Sequence, residues 1–150
     1  MMNKYLSCDW KSKGQKKSKT RLKSRLIRHK GGFSWQGVKT DKYKPPASHW
    51  AEVIRRELIG RRGERTKFHV RYFEIAPGGF TSIESHRHEH VVIGIRGRGR
   101  CITGKKTNEI GFLDALYICP DEIHRLRNPY KEPFGFFCIV DAKRDRPKAV

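Results

Sequence analysis

Between residues 67 and 141 the apolar residues fall into short runs, each closed by glycine, proline or a turn cluster. That punctuation limits the fold more than any other feature. Phe68, Val70 and Tyr72 alternate with His69, Arg71 and Phe73, the period of a half-buried strand. Ala76-Pro77-Gly78-Gly79 is expected to break it. Further strands are expected over residues 91–95, 100–103, 115–119 and 134–140, separated by Gly97, Gly99, Gly104-Lys105-Lys106 and Asn128-Pro129. Strands at this frequency, with no helical stretch between them, describe a mostly β sandwich or barrel. The chain of 150 residues has room for one such core.

Upstream, Pro45-Pro46 forces extended geometry and marks a boundary. Segment 48–58, SHWAEVIRREL, reads two ways. Trp50, Val53, Ile54 and Leu58 suit one face of a helix capped by Ser48, whereas residues 52–59 suit an edge strand. The expected organisation is a basic extension over residues 1–47 and a β domain over 48–150.

Charge separates these two parts. The chain holds 34 Lys and Arg against 15 Asp and Glu, a net charge of +19. Residues 1–47 carry fourteen of the cations against Asp9 and Asp41, a local net of +12, and residues 11–30 contain no acid. Repulsion and a shortage of apolar residues predict disorder to about residue 30, with a nascent helix near residues 22–27. Such an arm neutralises phosphates and binds nucleic acid weakly, without sequence preference and with steep salt dependence. No zinc-finger spacing or aromatic RNA-binding box accompanies it, so a solubilising extension is the plainer reading.

No apolar run approaches the ~20 residues of a membrane-spanning helix, and the Lys-rich N-terminus lacks the apolar region of a secretory signal. Cys8, Cys101, Cys119 and Cys138 lie far apart with no CxxC pair. Reduced thiols, no membrane partner and a cytoplasmic location are the expectation. Cys101, Cys119 and Cys138 fall in expected strands, where an inert buried thiol is the usual outcome. Nothing matches GxSxG, a Walker loop or a dinucleotide fingerprint.

The chemistry-bearing stretch is Glu84-Ser85-His86-Arg87-His88-Glu89-His90. At alternate positions of a strand, imidazoles and carboxylates project to one side, where they can converge on a cation. His124, after the turn at Pro120-Asp121-Glu122, is the expected partner from elsewhere in the chain. A nitrogen and oxygen donor set suits one divalent transition metal, Fe, Mn, Ni, Co, Zn or Cu, and is unlike a structural thiolate zinc site. The bland alternative is a solvated, His-rich turn.

Residues 77–97, PGGFTSIESHRHEHVVIGIRG, resemble the first motif of the cupins, G(x)5HxH(x)3-4E(x)6G. Registered on glycine, the series is Gly78, Glu84, His86, His90 and Gly97, with every spacing kept. Glu84 stands where the family usually has its first His, and His90 where it has Glu. Gly111 through Asn128 is a looser match to the second motif, with His124 as its histidine and Cys119 and Asp121 replacing the usual Pro and Gly. The resemblance covers roughly residues 66–141. It implies a double-stranded β-helix, or jelly-roll, barrel holding one metal through Glu84, His86, His90 and His124. His88 lies outside this register and is the alternate ligand.

Cupins include dioxygenases, isomerases, decarboxylases and lyases, so the likeness does not select a reaction. One expectation is a metal-dependent enzyme on a small anionic or oxygenated molecule. The other is a noncatalytic ligand- or metal-sensing barrel with a nucleic-acid-binding tail. Glu89 is the one general acid or base outside the ligand set. Arg96, Arg98, Arg100, Arg125 and Arg127 offer forks to an anion, although solvated strand edges explain them as well. By analogy with the family a homodimer is expected, with FSWQGV (residues 33–38) as a strand able to swap.

Overall fold

The structure, a computed structural model, describes residues 23–44 and 50–150. The start of the basic arm, residues 1–22, and residues 45–49, with Pro45-Pro46 and Ser48, lie outside the described residues. All regular structure among the described residues is β, so none of them form a helix long and apolar enough to cross a membrane. The strands are β1 (His29–Gly31), β2 (Ser34–Trp35), β3 (Asp41–Lys42), β4 (Ala51–Ile59), β5 (Phe68–Phe80), β6 (Glu84–Ser85) and β7 (His90–Arg96). They continue with β8 (Gly99–Thr103), β9 (Lys106–Ile110), β10 (Ala115–Ile118), β11 (His124–Arg127), β12 (Phe134–Asp141) and β13 (Lys148–Ala149).

One antiparallel sheet runs β3-β4-β5-β12-β7-β10. The other runs β9-β8-β11-β6-β13. The end of β5 joins them where Phe80 pairs with Arg127 of β11. The result is a nearly closed jelly-roll barrel, as the strand pattern predicts.

Period-two alternation fills its interior. Phe73 and Ile75 of β5, Val92 of β7, Leu126 of β11, and Phe134, Phe136 and Val140 of β12 form one buried cluster. Tyr72 and Phe137 point to the opposite face of their strands, and that face is covered too. The N-terminal segment lies across it, with Trp35 5.2 Å and Phe33 5.9 Å from Tyr72, ring centre to ring centre. Ile27 and Val38 complete this outer cluster.

The expected disorder to about residue 30 is therefore corrected for the described part. Residues 23–28 hold no helix, but Arg25 forms an ion pair with Glu64, and His29 pairs with Trp35 in the β1–β2 hairpin. FSWQGV packs on its own chain's sheet. Burying an indole there is worth about 3 kcal/mol. Trp35→Ala should lower the urea unfolding free energy by about that amount; an unchanged midpoint would mean that the outer cluster adds no stability.

The two-way reading of segment 48–58 resolves as strand β4, because its residues pair with β5 from Val53↔Ile75 to Ile59↔Val70. The expected break at Ala76-Pro77-Gly78-Gly79 is corrected: β5 continues to Phe80. The register passes from Val53↔Ile75 to Ala51↔Phe80, so the extra β5 residues form a bulge. Gly78 takes φ +79° there, and Gly79 lies so close to the Ala51 carbonyl that a side chain would collide with it. These glycines absorb a bulge instead of ending a strand. β10 stops at Ile118, so Cys119 is exposed, contrary to its expected place in a strand.

Candidate metal centre

The histidine stretch is not the continuous strand expected from its alternation. β6 ends at Ser85, β7 begins at His90, and a bend at Arg87-His88 separates them. Asp145 holds that bend from the C-terminal segment. Its Oδ2 accepts the Arg87 N–H at 2.9 Å and its Oδ1 the His88 N–H at 3.0 Å. The Arg87 amide first, then the His88 ring, hold the Asp145 carboxyl well below the usual carboxylate range.

The bend turns the imidazoles inward. His86, His90 and His124 are buried, and one ring nitrogen from each lies within 4.8 Å of the others. His124 arrives from β11, whose partner across the ladder is Glu84 of β6. His86 Nδ1 donates to the His88 carbonyl at 2.7 Å, and His124 Nδ1 donates to the Glu122 carbonyl at 2.9 Å. For His86, which burial keeps neutral, this leaves Nε2 unprotonated. His86 Nε2 is buried and has no hydrogen-bond partner among the described residues. A buried lone pair without a partner is costly unless a cation or proton meets it, and a backbone carbonyl on the other nitrogen is the usual support of a metal-bound imidazole. Burial, followed for His90 by the neighbouring imidazoles, lowers the pKa of His86 and His90 and keeps both neutral, the form that ligates. The donor set therefore fits a transition metal.

Glu84 and His88 flank this trio without joining its close group. Glu84 Oε2 accepts from Lys44 Nζ at 2.6 Å and from Ser82 Oγ at 2.9 Å. Burial alone would raise the Glu84 pKa, but the Lys44 ammonium more than offsets it and keeps the carboxyl ionised. His88 stacks on His86 with centres 3.6 Å apart. Its Nδ1 donates to Asp145 Oδ1 at 2.8 Å, which turns its Nε2 to within 3.2 Å of His90 Nε2.

A cavity of about 220 Å³ opens beside these groups. Phe73, Val92, Leu126 and Phe136 give it an apolar wall, and Glu84, His88, His90 and His124 line one part. Cys138, read from the sequence as inert, is buried but also faces the cavity, with its sulfur 3.7 Å from His90 Nδ1. Cys101 is a plain core thiol, which burial pushes up to about 12.

Other expected groups lie elsewhere. Glu89 is exposed and accepts from the Tyr117 hydroxyl at 2.5 Å, so it is no acid or base of the cavity. Arg96 pairs with Glu74, and Arg98 and Arg100 lie beside Glu109 and the Tyr130 ring. Arg125 donates to the Thr81 carbonyl, and Arg127 is exposed. None of these five arginines lines the cavity. The cations that do are Lys44, Arg55, Arg71 and Arg144. The strand period carried a signal for two of them, since Arg55 shares a face with Val53, and Arg71 with Phe73 and Ile75. Lys44 and Asp145 come from segments with no readable period.

A family model described as a cupin domain matches residues 71–140. The chain is 33% identical over 120 residues to the 1-methylthio-D-xylulose 5-phosphate methylsulfurylase of Rhodospirillum rubrum, covering 77% of this chain and 74% of that protein. A crystal structure of a cupin-2 domain from the same organism superposes with a TM-score of 0.72 at 33% identity, covering 79% of this chain and 78% of that one. A cupin 2 conserved barrel protein from Rhodopseudomonas palustris gives 0.77 at 32% identity, over 83% and 86% of the two chains. With its barrel and inward-facing histidines, this chain belongs to the cupin family.

Proposed function

We propose that this protein is a metal-dependent enzyme acting on a small, oxygenated anionic molecule. In this reading Glu84, His86, His90 and His124 hold one divalent transition metal. The observation that carries it is the convergence of three buried imidazoles, two of them with Nδ1 committed to backbone carbonyls and one, His86, with its buried Nε2 left without a partner among the described residues. When bound, such a metal supplies Lewis-acid polarisation of a carbonyl or hydroxyl oxygen.

The chain's own groups have separable tasks. Lys44 and Ser82 orient Glu84 and keep it anionic. Asp145 accepts from His88 Nδ1 and so aims His88 Nε2 at His90 on the cavity wall. Phe73, Phe136 and Leu126 exclude water from the reacting end. A second reading places His88 in the ligand set instead of Glu84, favoured by its 3.2 Å approach to His90 Nε2.

The Rhodospirillum rubrum relative is named for a substrate of this class, a methylthio ketose phosphate, and the same class is proposed for this chain. The test incubates the full chain with 1-methylthio-D-xylulose 5-phosphate and each of Mn, Fe, Co, Ni, Zn and Cu in turn. Consumption with at least one metal is expected, lost on chelation and restored when that metal is returned. Unchanged substrate with every metal would turn the reading towards a noncatalytic binding barrel.

A further inference from the structure

Arg55 on β4 and Arg71 on β5 occupy positions that an apolar side chain would ordinarily take. Arg55 stands opposite Phe73 in the register and shares its strand face with Val53. Arg71 shares a face with Phe73 and Ile75, and stands opposite Cys138 of β12. Both guanidinium groups line the cavity. Both have a buried Nε with no hydrogen-bond partner, and neither forms an ion pair with a described carboxylate. A guanidinium in a barrel interior normally has its donors filled.

The nearby acids are committed elsewhere. Glu57, opposite Arg71, pairs with Arg61 at 3.1 Å and lies 3.5 Å from His69. Glu84 pairs with Lys44. Arg144 adds a third guanidinium to the cavity wall, held by the His69 ring and the Asp141 carbonyl. Its pKa is lowered by burial and then by the positive charge of Arg71, which Glu57 offsets only in part. Arg71 Nη2 lies 3.3 Å from the Cys138 sulfur, which is 3.7 Å from His90 Nδ1. The cationic end of the cavity is thus two short contacts from the histidine end.

We propose that Arg55 and Arg71, with Arg144 at the rim, form an anion subsite that binds the phosphate monoester of the substrate while its oxygenated carbon chain reaches the histidines. The proposal rests on the enzyme reading above and narrows its substrate class. Planar guanidinium forks match phosphate oxygens two at a time, and a dianion at this point would fill the open donors and offset the crowded charge. A lone carboxylate offers the same oxygen chemistry with less charge, and is kept as an arm of the test.

The experiment uses the full chain and its Arg55→Met and Arg71→Met variants, which keep side-chain length and remove the donors, together with Arg55→Lys. Calorimetric titration of metal-loaded protein with D-xylulose 5-phosphate, D-xylulose and D-xylonate should show the phosphate ester bound at least tenfold more tightly than either of the others. Each Met variant should lose roughly tenfold or more in affinity for the ester, with metal content unchanged and Arg55→Lys recovering part of the loss. Inorganic phosphate added to chelated protein should raise the thermal midpoint of the parent chain and not of the Met variants. All variants retain the basic arm, so its contribution cancels. The phosphate shift on chelated wild-type protein, compared with an equal ionic strength of chloride, still tests the subsite if a Met variant fails to fold. Equal binding of the ester and the free sugar, or parent-like behaviour of both Met variants, would overturn the proposal. Phosphate binding by a chain that takes up none of Mn, Fe, Co, Ni, Zn or Cu when each is supplied would instead overturn the metal-enzyme reading and leave the anion subsite standing.

Discussion

Gly94→Ala should lose about 3 kcal/mol or more of folding stability, a drop of roughly 10 °C in thermal midpoint for a chain of this size. Gly94 lies mid-strand in β7, where its N–H donates to the Asp114 carbonyl and its own carbonyl accepts from the Leu113 N–H. A Cβ at that position would sit far inside contact distance of the Gly111 carbonyl oxygen. The obstacle is backbone, and it belongs to the turn that carries β9 into β10. It cannot rotate away as a side-chain tip would. Relief requires shifting either that turn or the β7–β12 pairing at Gly94↔Phe136. Gly37→Ala is the comparison: Gly37 has φ +70° but nothing within 4 Å of a new Cβ. That variant should lose only about 1 kcal/mol, from the left-handed backbone. Calorimetric melting of both checks the pair, and equal midpoints would contradict the packing argument.

The second large effect concerns the imidazoles. His86→Ala and His124→Ala should each weaken metal binding on the order of a hundredfold or more, since each removes one donor from a set of about four. His124 lies on the sheet opposite β7, so its loss also opens one side of the site. Glu84→Gln separates the two ligand sets. If Glu84 completes the set, this variant should lose affinity as the histidine variants do. If His88 does, it should hold metal as the parent does. Competitive titration against a chromophoric chelator reads all three. Parent-like affinity in both histidine variants would remove the metal reading.

The barrel was legible wherever a strand had one wet face or a glycine boundary. Residues 91–95, 100–103 and 134–140 read as strands because alternation and turn residues agreed there. The His86, His90 and His124 trio was legible too, since motif spacing survives the exchange of Glu84 and His90 in family positions. Context that lies far away in sequence was not. Tyr72 and Phe73 are adjacent and both buried, which period two cannot express until Trp35 is known to cover the outer face. The Ala76-Pro77-Gly78-Gly79 stretch carries the signals of a strand end, and only pairing with β4 and β11 turns them into a bulge. Arg55 and Arg71 share the period of the core positions, but their charge masks it because a charged residue is ordinarily exposed. Lys44 was assigned to the basic extension, yet it reaches the carboxylate of Glu84.

The most direct test of the metal centre is X-ray absorption spectroscopy of the metal-loaded full chain, paired with elemental analysis and repeated on Glu84→Gln and His88→Ala. The expected result is one metal per chain, with three imidazoles and one carboxylate oxygen at roughly 2.0–2.2 Å. The carboxylate contribution should disappear in Glu84→Gln, and the imidazole count should stay at three in His88→Ala. A chain that takes up no metal, or a metal whose imidazole scattering survives replacement of His86, His90 and His124 together, would contradict it.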